Sequence, residues 1–214
     1  PVYARYGAWY EIFPRSQGTQ EGQWGTWADC KNRIKDIKDM GFDVIYTVPI
    51  HPIGLTHRKG PNNSLTCTDQ DPGCPYAIGS SEGGHFATDP HLGSEAEFDD
   101  FMQTARSEGF QMALDIALNC SPDHPHVKEH PEWFYWIKDN QKYGPPEFSK
   151  KQLEQILKVP KGKGKYIPPN SIYCGQFTIP RADTDYKKLR IATAFADWPP
   201  NDLQPPWSDV TYLR

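Results

Sequence analysis

The chain has 214 residues, 37% of them hydrophobic and 23% charged, and carries a net charge of −4. That is apolar material enough for one good-sized core, and too ordinary a balance for wholesale disorder. It offers no basic stripe for phosphate backbones and no apolar run near the ~20 residues that span a bilayer, so the reading has no nucleic-acid and no membrane partner.

The N-terminal text PVYARYGAWYE lacks a charged leader followed by an apolar h-region, and a cytoplasmic protein is expected. It begins at Pro1 without a Met, which suggests a processed chain or a piece of a longer one. Five cysteines, Cys30, Cys67, Cys74, Cys120 and Cys174, form an odd, scattered set. Reduced thiols are expected, with a Cys67 to Cys74 bridge across CTDQDPGC as the alternative. No CxxC pair occurs, and neither a metal nor a cofactor is expected.

RYGAWYEIFP (5–14) is aromatic and apolar up to Pro14 and reads as a buried strand. GTWADCKNRIKDIKDMG (25–41) places Trp27, Cys30, Ile34, Ile37 and Met40 on one helical face, with Thr26 as N-cap, Asp29 three residues on, and Gly41 as stop. FDVIYTVPI (42–50) reads as a parallel strand covered on both faces. A 43-residue connection rich in Gly, Pro, Asn and Ser follows, from 51 to 93. Connections of that length are usually functional.

The pattern then repeats. GSEAEFDDFMQTARSEG (93–109) has a Ser94/Glu97 capping box, Phe98, Phe101 and Ala105 facing inward, and Gly109 as stop, and FQMALDIAL (110–118) reads as the next buried strand. Helix, Gly-aromatic and strand occurring twice imply βα units and a parallel sheet. Beyond about 140 the text turns to Lys, Gly and Pro, with one short helix at 149–157 and, from 175 onward, a strand and a short helix.

Ligands of such sheets sit at the carboxyl ends of the strands. The polar clusters Pro14-Arg15-Ser16, His51 to Ser64 and Asn119 to His124 all follow strand ends and are expected to line one pocket. In HPIGLTHRKGPNNS, Lys59 and Asn63 offer a cation and an amide to a polar ligand, against the plainer reading of a solvated loop. Gly83-Gly84 permit close backbone approach before His85, and a lone loop His is first read as structural. Asp115, inside an apolar strand, belongs either to a structural ion pair or to the site. Trp133, Phe134 and Trp136 suit sugar stacking or core packing.

Taken together and in order, RYGAWYEIFPRS, MGFDVIYTVPIHPIG, RKGPNNSL, AIGSSEGGHFATDPHLGS and DIALNCSPDHPHVKEHPEWF closely resemble the α-amylase-superfamily maltosyltransferases that use α-maltose 1-phosphate to extend α-1,4-glucans. The resemblance covers roughly residues 3 to 143. It implies an α/β fold, a partial (β/α)₈ TIM barrel with this chain supplying the first three βα units (1–143), followed by a divergent, poorly defined tail (144–214). It implies α-glucan and maltose 1-phosphate as partners, a parent enzyme that could be a homodimer, and no metal for turnover. Lys59 and Asn63 match positions that contact the maltosyl unit. Asn119 matches a sugar-contacting position where the family usually has Gln, one methylene longer. Asp115 matches a signature Asp that organises the site.

The chain also departs from that family. Where it carries Asn-Pro-Pro-Lys-Lys-Tyr at the phosphate end of the donor, this sequence reads GPPEFSKK, with Gly144 for Asn and Glu147 adding negative charge. The implied mechanism is retaining, with an Asp nucleophile and a later Glu acid. Arg181-Ala182-Asp183 has the spacing of the nucleophile motif, making Asp183 the candidate nucleophile, but no Glu follows Glu154. Three strands of eight leave an unpaired edge, so instability of the piece alone is expected. The functional alternatives are a superfamily hydrolase or transglycosidase acting on plain α-glucan, and a non-catalytic glucan-binding pseudoenzyme.

Overall fold

The computed structural model of the chain describes residues 2–138, 189–194, 207–211 and 213. A single helical turn, α1 (Tyr3–Tyr6), precedes strand β1 (Trp9–Ile12). With β2 (Val44–Thr47) and β3 (Gln111–Leu114) it forms a parallel sheet in the order β1-β2-β3. Helices α2 (Trp27–Asp39) and α3 (Glu95–Ser107) make the two crossovers. Both helices begin where the sequence places them. The Asp29 amide donates to the Thr26 hydroxyl while the Thr26 amide donates to the Asp29 carboxylate at 2.8 Å, and Ser94 and Glu97 repeat the exchange at 3.3 and 2.7 Å. Gly41 and Gly109, at φ 85° and 88°, end them in the left-handed conformation that favours glycine.

The core lies between the sheet and these helices. Ile12, Ile45 and Phe110 meet Trp27, Cys30, Ile34 and Ile37 from α2, and Phe101 and Ala105 from α3. Trp27 stacks on Phe101 with centroids 5.6 Å apart and packs against Phe98 at 4.8 Å. Met40, expected on the buried face, is exposed, because the helix has already ended at Asp39 and Met40 is its C-cap.

The strands are shorter than the apolar runs that announce them. Residues 3–6 are taken by α1, whose last amides return to the Val2 carbonyl. Beyond Thr47 the chain stays buried at Val48 and Ile50, but its backbone serves the long connection, the Asp89 amide donating to the Ile50 carbonyl at 2.8 Å. β3 differs more sharply. Leu114, Ile116 and Leu118 are exposed, Ile116 at 79%, because among the described residues no strand pairs with the far edge of β3. The covered, buried strand expected at 110–118 is an edge strand.

In the C-terminal third, β4 (Trp136–Lys138) pairs antiparallel with β5 (Leu189–Ile191), and β6 (Thr193–Ala194) pairs with β7 (Trp207–Thr211). The described residues after 175 are extended rather than helical, and the helix expected at 149–157 lies outside the described residues. β7 is tied to the body where the Thr211 amide donates to the Cys120 carbonyl at 2.7 Å. No helix among the described residues is long and apolar enough to cross a membrane. The described cysteines, Cys30, Cys67, Cys74 and Cys120, are free thiols, as expected.

Ser94→Ala removes a cap at the surface and should lower stability by about 1 kcal/mol. Phe101→Ala, fully buried between the helices, should lower it by about 3–5 kcal/mol. Urea unfolding of the 214-residue chain followed by far-UV circular dichroism measures both.

Candidate functional site

The connections that follow the three strands are stitched to one another by buried and half-buried polar groups. Arg15, after β1, pairs with the buried Asp89 carboxylate from the connection after β2, and also donates to the His51 carbonyl at 3.2 Å. His51 Nδ1 lies 2.9 Å from the Ala87 carbonyl, so that nitrogen carries the proton. From the segment after β3, the Asp123 carboxylate accepts the Leu55 and Thr56 amides at 2.7 and 2.6 Å and the Thr56 hydroxyl at 2.7 Å. The Ser121 hydroxyl donates to the Gly79 carbonyl.

His124 completes the stitching, and its tautomer follows from its partners. Its Nδ1 accepts the His126 amide at 3.1 Å, which puts the ring proton on Nε2. That Nε2 donates to His85 Nδ1 at 3.0 Å, so His85 carries its proton on Nε2 and donates it to the Ala117 carbonyl at 2.7 Å. A proton added to either ring would set two donors face to face. Burial, with His85, His126 and His51 nearby, pushes His124 down to about 4. Gly84 lies so close that a Cβ there would collide with His124 Nε2, so the glycine pair makes its close approach to this imidazole.

The polar clusters therefore do not all line one pocket, as their positions suggest. Arg15, His51, Ser121, Asp123 and His124 hold the connections together. A separate set lines a cavity of about 690 Å³: Lys59, Asn63 and Asn119, with Tyr76, Ala117 and Leu118 among its walls. Asn63 and its neighbour Asn62 have φ of 63° and 53°, a left-handed pair that asparagine tolerates. Lys59 is only 4% exposed and lies beside Asp209 of β7, itself 3% exposed. Burial lowers the Lys59 ammonium and raises the Asp209 carboxyl, and each is opposed by the charge of the other.

Asp115 sits one residue beyond β3 rather than inside it, half-buried, its amide continuing the ladder to the Thr47 carbonyl at 3.0 Å. Its carboxylate lies beside the Tyr46 and Tyr76 phenols, and its interaction with them, together with burial, raises both above their ordinary range. No ion pair involves Asp115 among the described residues, and through Tyr76 it adjoins the cavity wall. Asp183 lies outside the described residues.

Sequence reasoning missed Tyr76, Cys74 and Asp209, none of which carries a local signal. Two short patterns in the sequence form no site. Gly79-Ser80-Ser81-Glu82-Gly83 has the GxSxG spacing, but it forms a tight turn with Ser80 and Gly83 exchanging backbone hydrogen bonds, not a strand-to-helix elbow. His126 and His130 are four residues apart, yet their nitrogens face Glu129 and Glu132 at 3.8 and 3.2 Å. Among the described residues, Glu82, Asp89 and His91 bring ligand atoms within 4.8 Å of one another. Asp89 is already committed there, to Arg15 through one oxygen and to the His91 amide and ring through the other.

No family model matches the chain. It is 56% identical over 139 residues to an alpha-1,4-glucan:maltose-1-phosphate maltosyltransferase of Rhodospirillum rubrum, and 50% identical over 159 residues to that of Chlorobaculum tepidum. The chain is related to these maltosyltransferases. The matches cover 65% and 73% of this chain but 20% and 23% of the relatives, so it spans about a fifth of a maltosyltransferase's length. A crystal structure of an alpha-amylase from Lactobacillus plantarum is similar over 71% of this chain and 33% of that one, with a TM-score of 0.50 and 30% identity. That likeness assigns a TIM-barrel-type domain, in keeping with three parallel strands joined by helices.

Because His124 is held neutral in the fold, the unfolded chain binds a proton below about pH 6.5 that the folded chain refuses until about pH 4. Its contribution to stability is complete above that window and is lost as pH falls through it, by about 1.4 kcal/mol per pH unit at most. His124→Asn keeps a cap acceptor and removes the titration, so urea midpoints measured from pH 7 to 4 should fall less steeply than in the wild type. Gly84→Ala, driven against the same ring, should destabilise by about 1–3 kcal/mol at pH 7.

Proposed function

We propose that this chain is the donor-binding part of a maltosyltransferase that moves maltosyl units from α-maltose 1-phosphate onto α-1,4-glucan, and that Lys59, Asn63 and Asn119 hold the donor sugar. The observation that carries the reading is their convergence. Three polar residues from segments up to 60 positions apart, in a sequence 56% identical to such an enzyme, meet in one cavity of about 690 Å³. Fixed donors and acceptors among apolar walls suit a ligand that is apolar on its ring faces and hydroxylated on its edge. The shorter amide of Asn119 reaches a hydroxyl through a water. The three parallel strands and their two crossover helices are the first part of a (β/α)₈ barrel, and Asp115, beside Tyr46 and Tyr76, organises the strand ends.

Retaining transfer uses two carboxyl groups about 5–5.5 Å apart. Among the described residues the cavity wall offers one, Asp209, and it faces Lys59. This supports the second reading for the chain by itself: it binds glucan without turning it over. Turnover belongs to a polypeptide of the relatives' length.

Calorimetric titration separates these readings. Maltose and maltose 1-phosphate should bind the 214-residue chain, with Lys59→Met weakening both by about ten-fold through loss of one charged hydrogen-bond donor. In a polypeptide of full family length the same substitution should lower phosphate release from maltose 1-phosphate. Unchanged affinity and unchanged release in Lys59→Met and Asn63→Ala would remove the site assignment. Release of reducing sugar from plain maltooligosaccharides, without phosphate dependence, would favour a hydrolase.

A further inference from the structure

Outside the cavity, four rings form a connected array in which Phe86 and Trp133 are exposed and His126 and His130 are half-buried. Phe86 is 93% exposed and its ring meets that of His126 at 6.4 Å, edge to face. His126 in turn meets Trp133 at 5.3 Å and 82°. Trp133, 45% exposed, lies flat against His130 with centroids 4.0 Å apart and planes 7° apart. Of the three aromatics grouped in the sequence, Phe134 is buried in the core and Trp136 anchors the turn by donating to the Pro131 carbonyl at 2.8 Å, whereas Trp133 turns outward. Its plane is fixed from behind by the imidazole and from below by the Trp133 amide, which donates to the His130 carbonyl at 3.0 Å.

Single exposed apolar side chains need no explanation, but a connected run of rings does. The rim decides what fits it. Glu129 and Glu132 flank His126 and His130, and both carboxylates are mostly exposed. That edge repels phosphates and other polyanions while offering acceptors to hydroxyl groups. A ligand with apolar C–H faces, many hydroxyls and no charge matches both features, and a neutral polysaccharide is such a ligand. The array also adjoins the cavity. Phe86 follows His85, whose Nε2 holds the carbonyl of Ala117 in the cavity wall, and all four rings lie on segments that follow the carboxyl ends of β2 and β3.

We propose that Phe86, His126, His130 and Trp133 form a second α-glucan-binding surface that holds the polymer outside the cavity. This deepens the maltosyltransferase reading and rests on it for the identity of the glucan. A cavity of about 690 Å³ takes a short oligosaccharide, and a longer chain must run across the protein beyond it.

The test is affinity electrophoresis of the 214-residue chain in gels with and without glycogen, alongside maltotriose titration, for wild type, Phe86→Ser/Trp133→Ala, Trp133→Tyr and Lys59→Met. The double variant should lose glycogen affinity by about ten-fold, two stacking contacts' worth, while maltotriose affinity and the far-UV spectrum stay unchanged. Trp133→Tyr, which keeps a stacking ring, should retain most of the retardation. Lys59→Met should show the opposite pattern, weak for maltotriose and retarded by glycogen. Wild-type retardation in the double variant overturns the surface and leaves the cavity reading standing. So does a wild-type chain that binds maltotriose but not glycogen. Loss of a dimer in sedimentation velocity, with glycogen affinity intact, would make the array a protein interface and equally overturn it. A wild-type chain that binds neither sugar overturns both readings together.

Discussion

Much of this structure depends on one hydrogen bond between two imidazoles. His124 Nε2 donates to His85 Nδ1, and the two rings thereby join the segment after β3 to the connection after β2. Everything on either side of that bond is arranged to keep its direction. The His126 amide occupies the other nitrogen of His124, the Ala117 carbonyl takes the remaining proton of His85, and Gly84 gives way so that the rings can approach. Ala117 then presents Leu118 and Asn119 to the cavity. A network that is fully satisfied specifies one arrangement, because any alternative leaves a buried donor or acceptor unpaired.

The pairing of Arg15 with Asp89 does the same for the connection after β1. Burying two charges incurs a desolvation penalty that their attraction only partly offsets, so such a pair is a weak source of stability and a strong constraint on arrangement. Asp89 makes the most of its position, receiving Arg15 on one oxygen and the His91 amide on the other, at the point where the long connection turns into α3. The hydrophobic core between sheet and helices supplies the stability, and the polar ties decide where the loops lie.

The parts of the fold legible in the sequence are those built from neighbours. The capping boxes of Thr26 with Asp29 and Ser94 with Glu97, the stops at Gly41 and Gly109, and the apolar faces carrying Trp27, Ile34 and Phe101 all depend on residues within a turn or two of one another. Strand existence was legible and strand length was not. An apolar run such as FQMALDIAL does not reveal how far a neighbour will pair with it, nor that Ile116 and Leu118 would face outward. At the site, strand-end placement brought out Lys59, Asn63 and Asn119, which share a cavity. It failed for Arg15, His51 and Asp123, because a polar side chain after a strand serves equally well as a ligand contact or as a tie between loops. Only the partner distinguishes the two. Tyr76 and Asp209 reach the cavity from segments that carry no pattern at all.

The ties around the cavity also share a separation along the chain. Arg15 and Asp89 are 74 residues apart, Thr56 and Asp123 67, and His85 and His124 39, whereas each capping box spans three. Long loops must close before such contacts return anything, so the helices, whose contacts are local, are expected to order ahead of them. The same asymmetry governs opening. The loops can part while the core stays intact, so the amides of Leu55, Thr56 and His126 are expected to exchange with solvent ahead of those in α2 and α3. In this chain the cavity is expected to form late and to open early, and any ligand held there would be felt as protection of those amides before it is felt in the melting temperature.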